Sequence, residues 1–197
     1  SIATANKKML DLLKSGKLIK EKIKTNEDKY VDKLNEIHKF IKQHGKKIIY
    51  SWGASQPTFA KAKDKIRQGK KVGLTCVVPT RWALDMMGID PSGFYGKDSH
   101  FTKYSDKMKK YLKKITKGSG VGCTLKEAVD KKLLKKGDIL TFKDCTHTAT
   151  YTGNKYNAFD GGTAAEDKGY DKVGIIVDYS TSKWKNKKIN EILRWKV

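Results

Sequence analysis

Three cysteines (Cys76, Cys123, Cys145) and four histidines (His38, His44, His100, His147) hold the nucleophilic and base chemistry open to this chain. An odd, low cysteine count argues against a disulfide framework and leaves at least one free thiol. No pair is spaced as C-x-x-C, and the histidines do not cluster with the cysteines as zinc ligands would, so neither a metal nor another cofactor is expected. The chemistry to look for is therefore that of one reactive thiol. Cys76 follows a short apolar run, Lys71 to Thr75, and precedes a helical segment. A thiol at a helix N-terminus meets unpaired N–H groups and the positive end of the dipole, which favours thiolate, the nucleophile of acyl transfer. Cys145 stands two residues before His147 and shares its face if the strand reaches that far, but it lacks a helix terminus to activate it. Cys123 precedes a helix cap in a Gly-rich loop, where an incidental role is expected. His100 falls in a polar loop, and His38 and His44 lie on a basic helix, all three expected to be solvated.

His147 opens a run of β-formers to Thr152, and Gly153-Asn154 follows as a two-residue hairpin turn. That loop pairs Thr152 with Lys155 and Tyr151 with Tyr156; counting outward, His147 faces Asp160. Cross-strand partners share a face and stand within reach of each other, as an orienting acid must for a catalytic histidine. A three-residue loop would shift the register by one and separate them, leaving Asn157 as the next polar candidate.

The elements that must position these residues are helices first and strands last. Residues 1 to 24 form a lysine-rich helical lead with a weak apolar stripe of Met9, Leu12 and Leu13, broken at Ser15-Gly16. Thr25 caps a second helix with Asp28 three residues on, and Tyr30, Leu34, Ile37 and Ile41 recur at helical spacing until Gly45. Residues 58 to 71 are basic and helical, with Phe59, Ala62 and Ile66 as the inner face. A helix near Cys76 runs through Trp82, Leu84 and Met87 to a stop at Gly88. Residues 90 to 122 are loop-like, with one amphipathic piece around Tyr104, Met108, Tyr111, Leu112 and Ile115. Thr124 and Glu127 make a capping box for a short helix ending near Leu134. Strands follow at Asp138 to Phe142, His147 to Thr152, Lys155 to Asp160 and Val173 to Asp178. This order gives an α+β fold with an antiparallel sheet, divided as a lead (1–24) and one domain (25–197).

Hydrophobic residues make up 38% of the 197 and charged residues 32%, a globular composition with a wet surface. No run of about 18 apolar residues is present, so no membrane span is expected. The net charge of +22 either solvates the surface or seeks a polyanion: nucleic acid, anionic membrane, or the teichoic acids and carboxylates of a cell wall. Trp184 among Lys185, Lys187 and Lys188 offers a little of the aromatic–basic mixture that nucleic acid favours. No helix-turn-helix, zinc-finger or RNP-like pattern accompanies it, so nucleic acid is not the expected partner.

Four segments in order resemble the NlpC-type cell-wall cysteine peptidases. Tyr50-Ser51-Trp52-Gly53-Ala54 is similar to that family's Y-x-W-G-G. Cys76 is followed by a helix ending in Gly88-Ile89, as in the family. Lys136-Gly137-Asp138-Ile139-Leu140-Thr141-Phe142 resembles its Gly-Asp strand opening, and His147-Thr148-Ala149-Thr150-Tyr151-Thr152-Gly153-Asn154 its H-V-G-I-Y-x-G-N. The flanks depart from it: Thr75 replaces the usual acid or amide before the cysteine, Val77-Val78 the usual Ser-Gly after it, and the family's third polar residue, most often histidine, falls about one position nearer than Asp160.

The resemblance implies a papain-like core in which the cysteine helix packs on the histidine strand. Cys76 is then the nucleophile, His147 its base and Asp160 the orienting acid. Tyr50 is a second oxyanion contact beside the Cys76 N–H, and Trp52 lies at the same site. It further implies a secreted or wall-associated hydrolase, phage- or mobile-element-borne, cutting γ-D-glutamyl bonds in peptidoglycan stem peptides, with peptidoglycan and anionic wall polymers as partners. Two alternatives remain open: a thiol amidase or acyltransferase on another acyl substrate, and a basic polymer-binding protein without catalysis.

Overall fold

A computed structural model describes residues 1–16, 23–51, 58–94, 106–115, 118–143, 146–163 and 168–197. Helix α1 (Ile2–Lys14) buries none of its residues and leaves Ile2, Met9, Leu10, Leu12 and Leu13 exposed. Helix α2 (Asn26–Gln43) begins as its sequence requires: Thr25 accepts the Asp28 N–H at 3.2 Å and donates its hydroxyl proton to the Asp28 carboxylate. Its inner face is Tyr30, Val31, Leu34, Ile37 and Ile41, all buried. Each fully buried side chain of this kind contributes about 2 kcal/mol, so α2 is an integral wall of the core.

Strand β1 (Ile48–Tyr50) pairs in parallel with β2 (Val72–Leu74), joined through α3 (Phe59–Arg67). Helix α3 buries Phe59, Ala62 and Ile66 as the pattern predicts. The parallel pair was not expected from sequence. It sets Tyr50 opposite Leu74, two residues before Cys76.

Helix α4 (Val78–Met86) follows and lies against α2. Short α5 (Asp106–Lys109) leads into β3 (Leu112–Lys114), and α6 (Leu125–Asp130) starts on the Thr124–Glu127 capping box. The amphipathic piece around Met108 and Leu112 is thus a helical turn followed by a strand, and Tyr104 lies outside the described residues. Helix α6 stops four residues before the expected Leu134, because Lys132 takes φ of 58°.

The main sheet is six-stranded and antiparallel in the order β3–β8–β4–β5–β6–β7, with β4 (Ile139–Phe142), β5 (His147–Tyr151), β6 (Asn157–Phe159), β7 (Ile176–Asp178) and β8 (Glu191–Trp195). The fold is α+β with an antiparallel sheet. The strand expected from Val173 begins later: Val173 closes a helical turn, α7 (Tyr170–Val173). Gly174 follows at φ of 58°, where a Cβ would fall 2.4 Å from His38 Nδ1. His38 is accordingly not solvated. It is half-buried, accepts the Ile175 N–H at 3.2 Å, and burial followed by Lys42 and Lys39 pushes its pKa below the ordinary value.

Two buried polar links tie these layers together. The Tyr30 hydroxyl lies 3.0 Å from Thr80 Oγ1 on α4 and 2.8 Å from Thr150 Oγ1 on β5, so one phenol joins three elements. Arg194 on β8 donates to both Asp138 oxygens at 2.8 and 2.7 Å and also to the Leu133 carbonyl. Asp138, only 1% exposed, is satisfied by this fork.

Candidate active site

Cys76 occupies the turn between β2 and α4, two residues ahead of the helix, and is partly exposed. Pro79 falls in the first helical turn, where a missing N–H costs nothing, and the Thr75 carbonyl accepts the Val78 N–H. The turn is backed closely by Gly161 and Gly162. A Cβ at Gly161 would stand 2.6 Å from the Thr75 carbonyl oxygen and 2.8 Å from Pro79 Cγ. One at Gly162 would come 3.4 Å from both Cys76 Cβ and Cys76 N. The segment following β6 can therefore lie on the cysteine turn only because Gly161 carries no side chain, with Gly162 in ordinary contact beside it.

His147 stands at the start of β5, paired with Phe142, and is 6% exposed. Its Nε2 lies 3.0 Å from Asp160 Oδ2 and 2.9 Å from the Tyr179 hydroxyl. Tyr179 also donates to Asp160 Oδ2 at 2.6 Å. A phenol has one proton; given to Asp160, it leaves the Tyr179 oxygen to accept from His147. The network thus places a proton on Nε2, shared by carboxylate and phenol. Nδ1 is the ring nitrogen left for Cys76, whose side chain is close enough to help raise the His147 pKa.

Asp160 and His147 meet by a register other than the one the sequence predicts. Tyr151 pairs with Ala158 and Thr150 with Phe159, and Thr152 donates its N–H to the Asn157 carbonyl. The loop is therefore Gly153 to Tyr156, not Gly153-Asn154. Continued outward, this register sets Ala149 across from Asp160 and His147 two pairs further along, across from Gly162. Two extra loop residues move the register by two, and the side-chain period of two returns Asp160 to the histidine's face. The pair meets on a diagonal. The Asn157 alternative is placed elsewhere, facing a separate cavity with Asn35, Thr152, Asn154, Phe159 and Ile176.

Asp160 is fully buried, and its second oxygen Oδ1 accepts the N–H groups of Gly162 and Thr163 at 3.0 and 3.1 Å. Burial alone would raise its pKa; the charge and hydrogen bond of His147, with Thr163 and Tyr179, outweigh that and hold it at about 2. For His147, burial alone would lower the pKa, yet the Asp160 charge and hydrogen bond, with Cys76, push it up to about 9. The Tyr179 hydroxyl, buried beside a carboxylate, is driven well above its ordinary value and stays protonated.

Trp184 lies flat on the imidazole, 3.8 Å between centroids and 4° between planes, and donates Nε1–H to Thr163 Oγ1 at 2.7 Å. It is 7% exposed. The tryptophan read from sequence as part of an aromatic–basic mixture is thus a wall of the site, screening the His147–Asp160 bond from water. Tyr50, Cys76, His147, Gly162, Thr163 and Trp184 share a cleft of about 230 Å³, whose rim carries Lys143, Thr146 and Lys183. Trp52, Cys145 and His100 lie outside the described residues. Among the described residues no group of three or more His, Cys, Asp or Glu side chains could hold a metal ion, and no helix is long and apolar enough to cross a membrane.

Sequence reasoning missed Tyr179, Thr163 and the stacking of Trp184 on His147. Tyr179 and Trp184 lie 32 and 37 positions beyond His147 in no local motif. Asp160-Gly161-Gly162-Thr163 did carry a signal, because an Asp before two glycines is the pattern of a side chain folding back on its own backbone. The arrangement can take a proton from a thiol, hold it on a ring of fixed tautomer, and return it to a leaving group. Compared with family models, curated proteins and solved structures, the chain matches none.

Proposed function

We propose that this protein is a cysteine peptidase acting on peptide amide bonds of bacterial peptidoglycan. The observation that carries the reading is a single cluster: Cys76 at the entrance to α4, acting on a His147 whose Nε2 is held by Asp160 and Tyr179. A raised histidine pKa with a charge partner in a cleft is the environment that general acid–base chemistry requires. The cysteine-helix and histidine-strand arrangement agrees with a papain-like core, and the substrate class follows from the four NlpC-like motifs, with γ-D-glutamyl stem-peptide bonds as the expected target.

In this mechanism the Cys76 sulfur attacks the amide carbonyl and the C–N bond breaks as His147 passes its Nδ1 proton to the departing amine. Water then adds to the thioester, gives its proton to His147 and releases the acid, and the proton returns to the thiol–imidazole pair. The Cys76 N–H and the Tyr50 hydroxyl are the proposed oxyanion contacts. Trp52 keeps its proposed place at the substrate. Such an enzyme works outside the cytoplasm, on the wall. Purified Gram-positive sacculi incubated with the protein should release soluble stem-peptide fragments, identified by mass spectrometry, and Cys76→Ala should release none. Equal release by both proteins would refute Cys76 as nucleophile; no release by either would refute the wall substrate.

A further inference from the structure

The positive charge of this chain is not evenly spread. Helix α2 carries four lysines (Lys29, Lys33, Lys39, Lys42) and four acids (Glu27, Asp28, Asp32, Glu36) and is neutral. Residues 179–190 carry Lys183, Lys185, Lys187 and Lys188 and no acid; all four lysines are exposed. This segment is fixed at the active site. Its Trp184 stacks on His147, bonds Thr163, and takes its own backbone hydrogen bond to Ser182 Oγ. Tight turns then close it, Lys185 N–H to the Ser182 carbonyl and Lys187 N–H to the Trp184 carbonyl. Lys143, across the cleft rim, and Lys183 hold their ammonium groups 5.2 and 5.6 Å from the same indole centroid.

We propose that this loop, with Lys143, is a docking surface for a phosphodiester polyanion of the cell wall, a teichoic-acid-type polyol phosphate, held alongside the cleft. The inference rests on the wall-hydrolase reading and places its targeting charge on one edge of the active site. Lys143 and Lys183 on the cleft rim, with the exposed Lys185, Lys187 and Lys188 on the same loop as Lys183, are more cations than a single substrate carboxylate needs, and they suit a repeating anion. Nucleic acid is disfavoured by the same residues. The one aromatic side chain of residues 180–190 is Trp184, 7% exposed and already stacked on His147, so the loop itself offers no open ring for a base. The cations are lysine point charges rather than the arginine forks that grip nucleic-acid phosphates in two directions.

The test uses the full chain carrying Cys76→Ala, so binding is read without catalysis. Affinity for soluble poly(glycerol phosphate), and for single-stranded DNA of equal phosphate number, is measured by titration across a salt series. A triple variant, K185Q/K187Q/K188Q, is compared with K29Q/K39Q/K42Q on α2. Loss of three phosphate contacts, at about 0.7 each, should make the log–log salt slope shallower by about 2 and weaken polymer binding at 0.1 M salt about 100-fold, with the α2 variant changing it several-fold at most. Equal losses from both variants would overturn the proposal in favour of a diffuse field. No loss from the loop variant would overturn it outright, and tighter binding of DNA than of the polymer would replace it with a nucleic-acid surface. Failure of sacculus digestion with the binding intact would refute the peptidase and leave the docking surface standing.

Discussion

Replacing Asp160 with asparagine isolates the charge that organises the site. Asparagine keeps an oxygen for the Gly162 and Thr163 N–H groups but presents an NH₂ to His147 Nε2, which must then accept. The ring proton moves to Nδ1, the nitrogen left for Cys76, and in the proposed mechanism the neutral imidazole can no longer take the thiol proton. A wrong tautomer of this kind costs about 10³- to 10⁴-fold in kcat. The equilibrium effect follows from the raised pKa. Between the ordinary 6.5 and about 9, at about 1.4 kcal/mol per pH unit, the raised pKa of His147 is worth about 3 kcal/mol net of its burial, with Asp160 the main cause and Cys76 a lesser one. The folded pKa of His147 lies above the unfolded one, so this stability is complete below pH 6.5 and is lost as pH rises through 9. On the Asp160 side, with a folded pKa of about 2 against 3.8, the same interaction is present above pH 3.8 and is lost as pH falls through 2. Urea unfolding of wild type and Asp160→Asn at pH 6.5 and 9 should therefore show their stability difference shrinking by about 3 kcal/mol at the higher pH. The His147 ring signals, followed by NMR, should titrate near 9 in wild type and below 6.5 in the variant. A variant whose His147 still titrates near 9, or whose kcat falls less than tenfold, would refute the assignment of Asp160 as the orienting charge.

Further substitutions probe the scaffold around this pair. Gly161→Ala drives a Cβ into the Thr75 carbonyl and Pro79 and should cost about 1–3 kcal/mol by urea unfolding, whereas Gly162→Ala, meeting nothing nearer than 3.4 Å, should stay within about 0.5 kcal/mol of wild type. Arg194→Ala leaves the Asp138 carboxylate buried without its fork and should cost about 3–5 kcal/mol; a loss below 1 kcal/mol would show that the link is dispensable. Tyr30→Phe removes the hydroxyl joining Thr80 and Thr150 and should cost about 1–3 kcal/mol, with kcat falling alongside because the cysteine helix and histidine strand lose a shared tie.

Legibility from sequence followed the range of the interaction. Thr25 with Asp28 and Thr124 with Glu127 act over three residues, and both caps form as read. The Phe59, Ala62 and Ile66 stripe was equally local. Strands β3 and β8 escaped: Leu112–Lys114 is three residues long, and Glu191–Trp195, lying between β3 and β4, buries four of its five residues and shows no polar alternation. At the site, the His147 strand and Asp160 were legible, but their register depended on a loop length that Gly153-Asn154 alone did not determine. Tyr179 and Trp184 reach His147 only through the order of the sheet and the packing of the segment after β7, which no spacing near the histidine encodes.

Acid quenching during turnover of a stem-peptide substrate, followed by peptide mapping, tests the central claim most directly. A hydroxylamine-sensitive acyl group on the Cys76 peptide, absent from Cys76→Ala, is the expected result. An acyl group on Cys145 or Cys123, or turnover that persists in Cys76→Ala, would contradict it.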